Sequence, residues 1–169
     1  MKITSAEGAK LLNKLKCEYD ALKTKEKLSS TFLASVGEDP ESVRPAYDYE
    51  ATKAQLEELA LKIRKLKHAI NLFNTRTVVP EYGITVDEML VFMPQLSSCK
   101  QKLTEMAARL PKAREEQGYG RSGNIIDYRY INYDIDKVNR DLLAVTDMLS
   151  KAQIALDLIN HTEVFEVDI

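Results

Sequence analysis

The apolar positions of this chain fall twice into the same rhythm. Between residues 48 and 74, Leu56, Leu59, Ile63, Leu66, Ile70 and Phe73 alternate steps of three and four. Between residues 134 and 160, Ile135, Val138, Leu142, Val145, Leu149, Ala152, Leu156 and Ile159 do the same. Such alternation holds every one of these side chains on a single stripe of an α-helix. A shift of 86 residues lays the whole first set on apolar residues of the second, and also lays Lys65, Ala69 and Asn74 on Lys151, Ala155 and Asn160. The pattern predicts two long helices, each closing at an equivalent Asn. The stripe has two apolar positions per heptad, where helices of globular bundles usually add a third. That narrowness predicts a long antiparallel hairpin or a self-associating coiled coil, and with it a homo-oligomer.

The remaining segments fit around these two helices. Thr4 and Glu7 have capping-box spacing and open a helix over 5–28 striped by Leu12, Leu15, Tyr19 and Leu22. Gly37, Pro40 and Pro45 make 37–45 a loop. Asp48 is the expected N-cap of the first seam helix. Residues 75–79 favour a strand, halted by Pro80, and Tyr82-Gly83 is a turn. Thr85 and Glu88 form a second capping box, opening a helix to about residue 110 with the stripe Met89, Met93, Leu96, Leu103, Ala107 and Leu110. Pro94 should kink it. Lys100 stands where the stripe wants an apolar residue, so either Cys99 turns inward or the lysine stem snorkels. Pro111 ends the helix, 125–131 reads as a strand or extended arm, and Asp134 caps the second seam helix. The tail 163–169 alternates acidic and apolar residues. The tails 75–79 and 163–169 are expected to pair with each other or with the arm, because so short a β-element cannot stand alone. The fold class is therefore mainly α: long antiparallel helices plus short β segments near 75–79, 125–131 and 163–169, in one domain of two similar halves.

Composition narrows the function. A net charge of −2 over 169 residues argues against general nucleic-acid binding, which needs a basic face. No run approaches the 18–20 apolar residues, roughly, of a membrane span, and the start lacks the apolar core of a signal peptide, so a cytoplasmic protein is expected. Cys17 and Cys99 are too few for a disulfide framework and are expected to be buried thiols. The sequence has no phosphate-binding Gly-Lys-Ser/Thr loop, no nucleophile elbow and no HExxH pair. His68 reads as a solvated helix residue, and His161 as a cation at the negative end of a helix. The carboxylate pairs Glu57-Glu58 and Glu115-Glu116 and the basic run Lys62, Arg64, Lys65, Lys67 read as solvated faces. Neither an enzyme nor a cofactor is expected.

The best candidate for chemistry is the glycine-rich stretch with Tyr119, Arg121, Ser122 and Asn124, followed by Tyr128, Arg129, Tyr130 and Tyr133. Glycines let backbone N–H groups meet an anion, arginine offers a forked donor, and tyrosines offer flat faces for a ring. Together they suit a nucleotide-like anion; the alternative is a connector whose tyrosines pack on the helices. Asn74 and Thr75, matched by Asn160 and Thr162, form a second candidate, a polar pocket at paired helix ends, against plain C-capping by Asn.

The order Glu38-Asp39-Pro40, a seam helix ending in Asn74-Thr75, Tyr119-Gly120-Arg121-Ser122, and a seam helix ending in Asn160-His161-Thr162 resembles the septicolysin-like family of small, largely uncharacterised bacterial proteins. Its Tyr-x-Arg-Ser element is matched by Tyr119, Arg121 and Ser122, and its terminal Asn-Trp-Thr by Asn160 and Thr162, with His161 in place of Trp. The family's Arg-Asp pair is absent from the region of Phe92-Met93-Pro94. The resemblance implies a helical fold and an oligomer, and supplies no catalytic residues. The expected function is a non-enzymatic oligomer that binds or sequesters a small anionic, nucleotide-like ligand; the alternative is a structural or adaptor protein with no ligand.

Overall fold

The computed structural model describes residues 1–115 and 127–169. The protein is mainly α, with five helices and three short antiparallel strand pairs among the described residues. In chain order these are β1 (Lys2–Thr4), α1 (Ser5–Ser29), α2 (Pro40–Val43), α3 (Tyr49–Arg76), β2 (Val78–Val79), β3 (Ile84–Thr85), α4 (Val86–Ala107), β4 (Lys112–Arg114), β5 (Tyr128–Tyr130), α5 (Ile135–Thr162) and β6 (Val164–Glu166). The chain divides into two compact units. One comprises Met1–Asp87 with Leu156–Ile169, the other Glu88–Ala155.

In the first unit α1 packs against α3. Thr4 opens α1 with the predicted capping box: the Glu7 N–H donates to Thr4 Oγ1 at 3.2 Å, and the Thr4 N–H donates to the Glu7 carboxylate at 2.8 Å. The Thr4 N–H bond, joined by one from the Thr4 hydroxyl to the same carboxylate at 3.2 Å, holds the Glu7 carboxyl below its usual pKa. Asp48 caps α3 through the Ala51 N–H. The α3 seam turns toward α1, where Leu66 joins Leu15 and Val167 in a buried cluster flanked by Leu59, Ile63, Ile70 and Phe165. The seam of α3 is thus consumed inside the chain. Gly8 marks a close approach of α1, since a Cβ there would lie 3.0 Å from the Phe165 ring and 3.5 Å from Ile70. At the other end of the helix pair the Tyr47 hydroxyl donates to Glu26. Contacts at both ends fix the helices as antiparallel.

The two seam helices end later than predicted. Each runs two residues past its Asn, to Arg76 and to Thr162, with Thr77 as the C-cap of α3. Their lengths are equal, 28 residues, and their bounds keep the offset of the seam. Buried positions recur at that spacing, Leu66 with Ala152 and Phe73 with Ile159. Asp134 caps α5 as expected, accepting from the Asp136 and Lys137 N–H groups, and its carboxyl is held low by both bonds.

The strands pair otherwise than expected. The tail strand β6 pairs with β1 at the other end of the chain, β2 with β3 across a tight turn, and β5 with β4. Strands of two or three residues carry no register signal, and β1, β3 and β4 fall outside the β segments that the sequence predicts. The outcome has an internal order: Thr4 lies opposite Val164 as Thr85 lies opposite Val78, and Ile3 opposite Phe165 as Ile84 opposite Val79. In both cases the strand that leads into a helix pairs with one that follows a seam helix of the other half.

One further expectation needs correction. Cys17 and Cys99 are free and exposed, because each lies off its helix's apolar stripe. At the Lys100 position the lysine is half-buried and Cys99 is not, so the stem covers the apolar surface. Pro94 lies inside α4.

Candidate site at the base of the β4–β5 hairpin

The second unit brings the predicted arm into a hairpin. Lys112 lies opposite Tyr130, Ala113 opposite Arg129, and Arg114 opposite Tyr128. The Glu115 N–H donates to the Asp127 carbonyl and the Ile131 N–H to the Pro111 carbonyl, extending the pairing at both ends. Alternation sorts the side chains. Tyr128 and Tyr130 share one face, where the Lys112 ammonium stands 4.2 Å from the first ring centroid and 5.5 Å from the second. Arg129 takes the other face and grips Glu115 with both arms, at 2.7 and 2.6 Å. That fork holds the Glu115 carboxyl below its usual pKa and raises that of Arg129. The Arg129 guanidinium therefore already has its carboxylate.

Beneath the hairpin, Tyr133 donates its hydroxyl to the Met106 carbonyl at 2.7 Å, tying the strand exit to the last turn of α4. The space between holds a cavity of about 380 Å³, lined by Arg109, Leu110, Tyr130, Ile131, Asn132 and Tyr133 among others. Its volume falls in the range of small-molecule sites, roughly 300–1,000 Å³. Among the described residues no ion pair engages Arg109. The cavity combines an apolar wall, an open guanidinium, a side-chain amide and tyrosine rings. It can hold an anion attached to a flat group by a fork, a hydrogen bond and a ring face. Among the described residues no three of His, Cys, Asp and Glu converge as a metal would require.

Of the residues singled out from sequence, Tyr128, Arg129 and Tyr130 lie together on β5, and Arg129 and Tyr130 line the cavity. Tyr119, Arg121, Ser122 and Asn124 lie outside the described residues. Asn74 and Asn160 are half-buried in the last turns of α3 and α5. Thr75 gives its hydroxyl to the Asn71 carbonyl, and Thr162 to the Leu158 carbonyl, so both bond within their own helices. His161 likewise donates from Nδ1 to the Asp157 carbonyl, on the last turn as expected. Arg109 was not foreseen; a cation between the last two stripe residues, Ala107 and Leu110, and two before Pro111 was its only signal.

No family model matches the chain, and no curated protein does. Its structure is similar to the crystal structure of a functionally unknown conserved protein from Corynebacterium diphtheriae, with a TM-score of 0.65 at 17% identity, over 98% of this chain and 100% of that one. At that identity the likeness shows a shared fold.

Proposed function

We propose that the chain is a non-enzymatic binding protein that holds a small anionic, nucleotide-like ligand in the pocket under the β4–β5 hairpin, and that it acts as a homo-oligomer. The observation that carries this reading is that Arg109 lines the same cavity as Tyr130, Asn132 and Tyr133. Arg109 takes the anion role, since Arg129 is bound to Glu115. The septicolysin-like resemblance belongs to the same proposal: it supplies an oligomer and no catalytic residues. Native mass spectrometry of gently purified protein tests it, followed by titration with nucleoside monophosphates and inorganic phosphate. A ligand bound by the wild type and lost in Arg109→Ala supports the reading. A wild type that carries no added mass and binds none of these probes overturns it.

One observation favours the adaptor reading. Leu143 and Ile154 are exposed on α5, three turns apart and on the face opposite the seam. The equivalent positions of α3 are Glu57 and His68, so this stripe is particular to α5. Assembly broken by Leu143→Asp, with Arg109→Ala silent in ligand binding, would support an adaptor built on that face.

A further inference from the structure

The first unit has its own groove, of about 570 Å³, between the C-terminal half of α3 and β6. It is lined by all five consecutive residues from Val164 to Asp168. One face of a strand offers only alternate residues, so a groove that touches five in a row runs along the strand's edge.

The hydrogen bonding of that edge follows from the pairing. Met1 and Val167 exchange both bonds, the Val167 N–H to the Met1 carbonyl and the Met1 nitrogen to the Val167 carbonyl. In an antiparallel ladder bonded and non-bonded pairs alternate. Phe165 is therefore bonded to Ile3, and the N–H and C=O of Glu166, with the N–H of Asp168, point away from β1 into the groove. Among the described residues no backbone partner meets them there. An unpaired edge of this kind is a template for another strand.

The opposite wall sets the chemistry of that strand. Lys65, His68, Leu72 and Arg76 follow one another along α3 at steps of three, four and four, all lining the groove. Phe73 and Phe165, with centroids 5.3 Å apart, lie in its floor. Among the described residues no ion pair engages His68 or Arg76, and Lys65 reaches only the exposed Asp168 at 3.9 Å. A second copy's β6 is a poor occupant, because antiparallel self-pairing about Glu166 sets that carboxylate against its own copy.

We propose that the free edge of β6 accepts an extended segment of a partner protein as a third strand. Its inward residues are apolar and acidic, meeting the aromatic floor and the cations of α3. Its outward residues are basic, beside Glu166 and Asp168. This is strand addition, in which the backbone supplies affinity and alternate side chains supply specificity. It is independent of the hairpin pocket.

The test is an array of short synthetic peptides whose inward positions are drawn from Val, Phe, Asp and Glu and outward positions from Lys and Thr. Binding is read by fluorescence anisotropy and by amide exchange in the full chain. The expected result is binding that slows exchange at Glu166 and Asp168, vanishes when the peptide's ladder nitrogens are methylated, and weakens on the order of tenfold in the Lys65→Glu, Arg76→Glu double variant. Circular dichroism confirms that the variant folds. Failure of the whole array to slow those two amides overturns the proposal, as does equal binding of the methylated peptides or of the double variant. Slowing that depends on protein concentration alone assigns the edge to a second copy, and also overturns it.

Discussion

Replacing Leu66 by alanine removes the most enclosed side chain of the α1–α3 core. Leu66 has 0% of its surface exposed and touches a cluster fed by both helices and by the β6 tail. Three lost carbons cost about 2.4 kcal/mol in transfer, and the residual cavity adds on the order of 1–2, for a total of about 3–4 kcal/mol. Against a native stability of about 5–15 kcal/mol, that is a large fraction. Equilibrium urea unfolding followed by helical circular dichroism measures it, with an unchanged m value as the sign that only stability moved. The melting temperature should fall by about 6–16 °C. Leu143→Ala is the internal control: 72% exposed, it should stay within about 0.5 kcal/mol. A Leu66→Ala cost below about 1 kcal/mol would refute the reasoning, because an enclosed leucine cannot be removed so cheaply from a formed interface.

Other consequences can be checked as simply. Gly8→Val should destabilise by about 1–3 kcal/mol, since its Cβ starts 3.0 Å from the Phe165 ring and its methyls have nowhere to go; a neutral result would mean the contact is loose. Cys17 and Cys99 should both react with a thiol reagent in the native protein at rates near those of the unfolded chain, and protection of either would contradict its exposure. Glu7, Glu115 and Asp134 all have folded pKa values below their ordinary ones. Their contribution is complete above the ordinary carboxylate range near about 4 and is lost as pH falls through the depressed folded values. Thermal melts should therefore fall steadily on acidification below that range, and a melting temperature flat across it would show the caps and the Arg129 pair to be idle.

What could be read from sequence was what the chain encodes locally. The stripes of α3 and α5 repeat over many turns, so their existence, caps and relative offset are legible from Leu56 to Phe73 and from Ile135 to Ile159. Helix ends are less so: Asn74 and Asn160 look like terminators, yet Thr75 and Thr162 bond back to their own helices and carry them further. Strand partners are set by tertiary context. Nothing in Val164-Phe165-Glu166 says that it will meet Lys2-Ile3-Thr4, although Ile3-Thr4 and Ile84-Thr85 both lead directly into a helix. The aromatic arm was legible as a strand, but its convergence with Arg109 depends on β4, whose three residues have no strand pattern. The Cys17 and Cys99 expectation failed because a general preference of free thiols for burial outweighed their places off the helical stripes.

The two matched strand pairs differ in one respect that bears on how the chain finds its fold. Val79 and Ile84 are separated by a single tight turn, whereas their counterparts Phe165 and Ile3 lie at opposite ends of the sequence. Closing the longer loop costs roughly 3 kcal/mol more in chain entropy for ladders of the same register. The turn between β2 and β3 can form by diffusion of a few residues, while β1 and β6 must wait for the helices to bring the ends together. During refolding, pulse labelling should find the Ile84 amide protected before those of Ile3 and Phe165. The order of assembly is thereby written into connectivity: the same small ladder serves once as an early local clasp and once as the final seal that joins the first residues of the chain to the last.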